Sequence, residues 1–409
     1  MSANLNTISN IIKEQYLPVL KNNINVEPSP FLEMIKKEPL TSDKVTAVAP
    51  VGINGGFGFA ADGESAPKSG ARNYKRFELE PVNMYVDFRI SDKTVKLAND
   101  GNALLDALDE EIASGYEAAK WNISRALFGD GTGKLCNLLS TSDPFGENDA
   151  HNIISVDDCT NLIEGLTVDI YTYSSASTST PTLSDKNKGA RIILIDRNEK
   201  KIILESEKMS VTVRSTSAES FGFLVVQGSY KKELTGLKTI FDETNESIYG
   251  CSKVENPFLV PMTVDAEKSL TDTLIYDVVK KAHDFRNSKI NLVMMGDAAF
   301  KAYQTYMREN RAISCEKACF TGGAAGYKVM VGDREVTVIN ERRVPSAEAW
   351  CVDTDAFRFI ALDFDFCNFG SDGIFHLAPG TSYYRALLAS YGNLICKNPG
   401  GCVRITNAA

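Results

Sequence analysis

The chain has 409 residues, 43% of them hydrophobic and 24% charged, with a formal net charge of −9 at pH 7. That length accommodates two or three domains of an ordinary globular protein, and no apolar run approaches the roughly 20 residues that span a bilayer. An acidic balance argues against a surface built to neutralise phosphates, although a mildly acidic wall can still enclose a polyanion and let it slide.

The N-terminus, MSANLNTISN, has neither a basic n-region nor an apolar h-region, so the chain reads as cytosolic when made. Residues 4–17 read as an amphipathic helix, with Leu5, Ile8, Ile11, Ile12 and Tyr16 on one face. Its apolar face needs cover, and another subunit is one source. Pro18 ends it, and Pro28, Pro30 and Pro39 break the following stretch around a short helical piece, PFLEMIKKE. The whole of 1–44 reads as an extended arm.

Residues 44–51 read as a strand. The next nineteen residues, Gly52 to Gly70, hold six glycines and two phenylalanines, Phe57 and Phe59. A backbone this glycine-rich cannot stiffen itself, and the two rings are expected to dock in a neighbouring subunit as anchors. Arg72, Lys75 and Arg76, beside Glu78 and Glu80, are candidates for ion pairs between subunits. Val82, Met84, Val86, Phe88 and Ile90 then alternate with polar residues, a half-buried strand. This strand and 44–51 are expected to flank the loop as a two-stranded projection, which is marginal without a partner surface.

Ser91 can cap a short helix, DKTVKLA, and Asn102 a long one over 103–128. Leu105, Leu108, Ile112, Tyr116, Ala119, Ile123 and Ala126 mark one face of the long helix, and Gly129 stops it. From about 152 the composition turns to short strands: LTVDIYTY, ARIILID, KIILE, MSVTVRS and FGFLVVQG. Residues 165–250 are expected to form mostly an inserted barrel or sandwich. From 265 the pattern becomes α/β. Thr271 caps the helix LIYDVVKKAHDF, NLVMMG is a buried strand, and DAAFKAYQTYMRE is a second helix. YKVMV, EVTVIN, AWCVD and FRFIAL follow as strands. SYYRALLASYGNLICKNPGGCVRI reads as two strands about the Lys397–Gly401 turn.

No active site can be read. GDGTGK at 129–134 has three residues between Gly129 and Gly133 where a phosphate loop needs four, and Leu135 stands where a magnesium ligand belongs. It reads as a tight turn. DFDFCN at 363–368 departs from a calcium loop at Cys367 and Gly370. Cys315 and Cys319 lack a second pair for zinc, and the nine cysteines read as reduced, packed thiols. The three histidines, His151, His283 and His376, are isolated. No catalytic residue, metal site or cofactor is expected, which argues against an enzyme.

The order of these elements resembles the Hong Kong 97-type major capsid proteins of tailed bacteriophages, over almost the whole chain. By that resemblance the fold is α+β. Residues 1–44 look like the N-terminal arm, 45–90 like the extended loop that overlaps an adjacent subunit, and 91–150 like the peripheral domain with its long spine helix. Residues 151–255 hold a β-rich insertion and connection beyond the minimal fold, placed on the outer surface or at a capsomer contact. Residues 256–380 look like the axial domain and 381–409 like its closing strands. The turn ALFGDGTG and the aromatic-rich YRALLASYGNLICKNPGGCVRI are similar to family features. The resemblance implies self-assembly into pentamers and hexamers of an icosahedral head around double-stranded DNA. It also implies a portal as partner, with either a separate scaffold protein or none, no membrane, assembly in the bacterial cytoplasm, and residence in the virion. Some members cross-link a loop lysine to a neighbour's asparagine. Lys68 and Lys75 lie in that region, but no partner is identifiable and no cross-link is expected. Two alternatives stand beside this reading: an encapsulin-like compartment with protein cargo, and an enzyme with a β-rich accessory domain.

Overall fold

The structure, a computed structural model, describes residues 29–51, 57–62, 65, 68, 70, 73–93, 101–141, 151–173, 180–205, 222–267, 270–310, 316–319, 325–332, 334–367 and 376–409. The predicted helix over 4–17, most of DKTVKLA, the strand MSVTVRS and Arg72 lie outside them. The chain divides into two compact units: Met1–Leu127 with Leu237–Ala409, and Phe128–Gly236.

In the first unit, helix α1 (Pro30–Met34) starts on Ser29, whose hydroxyl accepts a hydrogen bond from Leu32 N at 3.3 Å, with Pro30 at the first helical position. Phe31 and Leu32 are buried, and Phe31 meets Phe357 edge-on at 5.2 Å. The described end of the predicted arm therefore covers its apolar side with its own chain. Strand β1 (Lys36–Pro39) follows. Strand β2 (Val45–Val51) pairs antiparallel with β3 (Asn73–Leu79), in register from Val45 against Leu79 to Val51 against Asn73. This corrects the expected pairing of 44–51 with the strand at 82–90. Strand β3 hides in the sequence because Phe77 is its one fully buried apolar residue among Lys75, Arg76 and Glu78. Pro81 then separates it from β4 (Val82–Ser91), which joins another sheet. Helix α2 (Gly101–Phe128) has 28 residues, about 42 Å at 1.5 Å per residue, and begins before the expected cap Asn102. It rests on the apolar face of β4. A Cβ at Gly115 would lie 2.6 Å from Phe88 Cε1 and 3.1 Å from Val86 Cγ1, so a side chain there would collide with the strand.

The second unit starts earlier than the sequence suggests and ends sooner, taking in β5 (Lys134–Thr141) and β6 (His151–Val156) and leaving out 237–255. Strands β7 (Thr167–Tyr173), β8 (Pro181–Leu183), β9 (Ala190–Asp196), β10 (Lys201–Glu205) and β11 (Gly222–Val226) complete it. All the pairings are antiparallel, and they run β5–β6–β10–β9–β7–β11 and back to β5. That is a closed barrel of six strands, with β8 added on β7. Closure leaves few open edges. The interior holds Leu138, Ile154, Ile170, Ile192, Ile202, Leu204 and Leu224. Gly222 sits where β11 crosses between its two partners; a Cβ there would lie 2.2 Å from Tyr171 O. Asp169 is buried, and its carboxylate accepts from Gly189 N at 2.9 Å and Gly228 N at 2.8 Å, tying two loops to β7.

The chain returns to the first unit through α3 (Leu237–Phe241) and the short hairpin β12 (Ser247–Ile248) and β13 (Cys251–Ser252). An α/β layer follows: β14 (Met262–Asp265), α4 (Asp272–Arg286), β15 (Leu292–Met295), α5 (Asp297–Glu309), β16 (Glu316–Cys319), β17 (Ala325–Val331), β18 (Arg334–Asn340) and β19 (Ala349–Val352). Thr271 caps α4 by accepting from Leu274 N at 3.2 Å. With β24 (Val403–Thr406) they form one sheet, ordered β14-β24-β19-β15-β18-β17-β16. All four residues of β15 are buried, as the run Leu-Val-Met-Met predicts for a central strand. The other sheet is built on β23 (Tyr383–Cys396), which pairs with β4, β20 (Phe357–Ala361), β21 (Asp365–Phe366) and β22 (His376–Leu377). Strand β1 adds parallel to β20 at its edge.

Candidate intersubunit surface: the β2–β3 ribbon and its anchor

The β2–β3 ribbon has two unlike faces. Val45, Ala47 and Ala49 of β2 and Phe77 of β3 are buried, while Val48 and Tyr74 are exposed. Period two puts the buried set on one side and the exposed set on the other. Beyond the ribbon, residues 57–62 are exposed throughout. Phe57 is 81% and Phe59 95% exposed, and the two rings meet each other edge-on with centroids 5.3 Å apart. Two large apolar rings left this exposed are the opposite of what an isolated chain gains from phenylalanine.

The charges predicted beside the loop are arranged along the ribbon. Glu78 takes Lys44 Nζ at 3.0 Å and Arg76 Nε at 3.0 Å, so Arg76 pairs within its own strand. The hydrogen bond from Lys44, with the Lys44 and Arg76 charges, holds the Glu78 carboxyl below its ordinary value. Lys68 is exposed and Lys75 half-buried.

The base of the ribbon is held by a turn that the sequence did not reveal. Tyr249, between β12 and β13, has φ 52°, and Gly250 has φ 76°. A bulky residue with positive φ is uncommon and costs backbone energy. Its surroundings fix it. The Tyr249 ring packs 5.6 Å from Phe77, its carbonyl accepts from Glu78 N at 3.4 Å, and its hydroxyl accepts from Cys396 N at 3.2 Å. Cys251 Sγ lies 3.9 Å from Arg76 O. Burial pushes the Tyr249 phenol well above its ordinary value, so it stays neutral. One turn thus ties the ribbon to the end of β23.

The turn at 129–134 and His283 have local structural partners. In GDGTGK, Asp130 Oδ1 accepts from Thr132 N at 2.9 Å, and Gly131 and Gly133 have φ near 80°, at 80° and 78°. That is an Asx-type turn leaving α2. His283 Nδ1 lies 3.3 Å from Arg334 Nη2. Seven cysteines, Cys136, Cys159, Cys251, Cys351, Cys367, Cys396 and Cys402, are unbridged, and burial raises the Cys351 thiol to about 12. Among the described residues there is no group of three or more His, Cys, Asp or Glu side chains placed to hold a metal ion, and no helix long and apolar enough to cross a membrane.

No family model and no curated protein matches the sequence. Solved structures do. A chain of the cyanophage A-1(L) capsid asymmetric unit is similar over 93% of each chain, with 10% identity and a TM-score of 0.49. A chain from the capsid of a native GTA particle is similar over 94% of this chain and 91% of its own, at 8% identity and a TM-score of 0.46. A chain of the satellite phage P4 procapsid is similar over 95% of this chain and 97% of its own, at 11% identity and a TM-score of 0.41.

Proposed function

We propose that this chain is the building block of a phage head: a Hong Kong 97-type major capsid protein that assembles into pentamers and hexamers around double-stranded DNA. The carrying observation is the exposed Phe57–Phe59 pair beyond a ribbon whose base is tightly fixed. Seating both rings in a neighbour's pocket gains roughly 1.5–3 kcal/mol for each. Repetition around a symmetric ring multiplies a modest contact into a stable assembly.

The element order supports this reading. Residues 1–44 serve as the arm and 45–90 as the extended loop with its return strand. The peripheral domain takes α2 as its spine, residues 256–380 form the axial domain, and 381–409 close the chain. The barrel at 128–236 is the insertion. Lys68, Arg72 and Lys75 are proposed to face the neighbouring subunit with the two phenylalanines, while Arg76 sets the charge on the ribbon through Glu78. The role is structural, and the head it builds is the place where the protein resides.

Electron microscopy of the purified chain, alone and co-expressed with candidate scaffold proteins, tests the proposal. Closed particles of uniform diameter are expected. A chain that remains a stable monomer under every assembly condition contradicts it.

A further inference from the structure

The barrel carries a second surface, laid out by the register of three neighbouring strands. Across β6, β10 and β9 the pairings align Ile153 with Ile203 and Ile203 with Leu194. The row on one side is His151–Glu205–Arg191, and the row on the other is Ser155–Lys201–Asp196. The described side chains among these residues share the outer face, because the alternate residues Ile154, Ile202, Leu204, Ile192 and Ile195 are buried inside. Ile153 is 37% and Leu194 50% exposed, and Ile193, the extra residue at the β9 irregularity, is exposed beside Leu194. A central apolar row is therefore flanked by two charged rows. Lys201 lies 3.6 Å from Glu199, and Asp196 accepts from Asn198 N at 3.0 Å and Glu199 N at 3.1 Å, so both flanking charges are held near the end of the hairpin.

The order of charges selects the occupant. Consider two copies of this face packed on each other about a two-fold axis lying along the apolar row. The axis exchanges the two flanking rows and leaves the position across the strands unchanged. Glu205 then faces Lys201 of the second copy, Arg191 faces Asp196 of the second copy, and both pairs occur twice. Ile153, Ile203 and Leu194 each meet themselves. With the axis along the strands instead, Glu205 would face Glu205 and Lys201 would face Lys201, which is repulsive. We propose that this face of the barrel is an isologous contact with the same face of a second copy, with its axis along Ile153–Ile203–Leu194. Three strands at about 4.8 Å spacing and five residues at about 3.4 Å make a small patch, well below the roughly 1,200 Å² of a stable standalone interface. The contact is weak alone and gains strength in a many-copy assembly, so it rests on the shell reading for its setting.

Cysteine trapping in the full-length chain tests the geometry. Ile203→Cys and Leu194→Cys each place a thiol beside its own symmetry mate. Mild oxidation should give a covalent dimer, with peptide mass spectrometry finding the introduced thiols joined to each other. Arg191→Cys lies off the axis, with its symmetry mate about 13 Å away at two residues per row on each side, beyond disulfide reach, and should not join to itself. Adding Lys201→Glu to I203C, or Glu205→Lys to I203C, should lower the dimer yield on the order of tenfold, because two attractive pairs become repulsive. Mixing those two charge variants should restore it, since Lys then faces Glu throughout. Absence of the 203–203 linkage in both concentrated and assembled protein overturns the contact, as does equal trapping of R191C or a yield indifferent to the charge changes. Particles without the linkage sink this contact and leave the shell reading standing; the linkage without particles does the reverse.

Discussion

At the scale of single residues, Tyr249 and Asp169 do the same kind of work in different units. Each offers oxygen to backbone N–H groups that would otherwise lose their partners. Replacing Tyr249 by Phe keeps the ring on Phe77 and removes the acceptor for Cys396 N. A buried donor left unpaired costs about 1–3 kcal/mol, so Y249F should lower stability by that much in denaturant titration. Asp169→Ala removes two bonds to one carboxylate. A loss of about 2–3 kcal/mol is expected, read as a shift of the barrel's transition. The sequence announces neither residue. Left-handed geometry is against the preference of tyrosine, and an acid inside the apolar-looking strand TVDIYTY reads as an outward residue. The exposure of Phe57 and Phe59 was legible because they stand in a glycine-rich stretch.

At the scale of elements, the ribbon shows how pairing and charge share the work. Glu78 has its folded-state carboxyl held below its ordinary value of 4.5 by Lys44 and Arg76. A depressed carboxyl contributes stability that is present above its unfolded value and lost as pH falls through the folded one. NMR titration should therefore find Glu78 losing its proton at lower pH in the folded chain than in the unfolded one, and Glu78→Gln should abolish that dependence. The α2–β4 contact is steric instead. Gly115→Val drives a branched side chain into Phe88, which would lie 2.6 Å from its Cβ. Overpacking of this kind costs about 1–3 kcal/mol, measurable by thermal unfolding. Helix α4 was legible because its buried residues, Ile275, Val278, Val279 and Ala282, recur at helical spacing, β4 because its apolar residues alternate with polar ones, and β15 because it is apolar throughout. Strand β3 was not. Phe77 is the one fully buried residue of β3 and charged residues stand on either side of it, so its pairing with β2 depends on a partner that sequence spacing does not name. The barrel's boundary was obscured in the same way, since β5 closes the ring by pairing with β11, about ninety residues later in the numbering.

At the scale of the whole molecule, the chain enters the barrel once at Phe128 and leaves it once at Gly236, so the first unit is assembled from both ends of the sequence. Strand β23 shows this directly: it pairs with β4 from Tyr383 against Ser91 to Gly392 against Val82. The order of elements is what a sequence can carry at this scale, and it was sufficient to suggest a shell subunit. What it cannot carry is the register that aligns Ile153, Ile203 and Leu194, because that row depends on three separate pairings. Phe57 and Phe59 are proposed to act on other copies of the chain rather than on its own fold. The most direct measurement is particle formation by the double variant Phe57→Ala, Phe59→Ala, scored by electron microscopy beside its thermal unfolding. Unfolding within about 0.5 kcal/mol of the natural sequence, as for exposed positions, is expected together with loss of closed particles. Normal particles from a variant lacking both rings would contradict it.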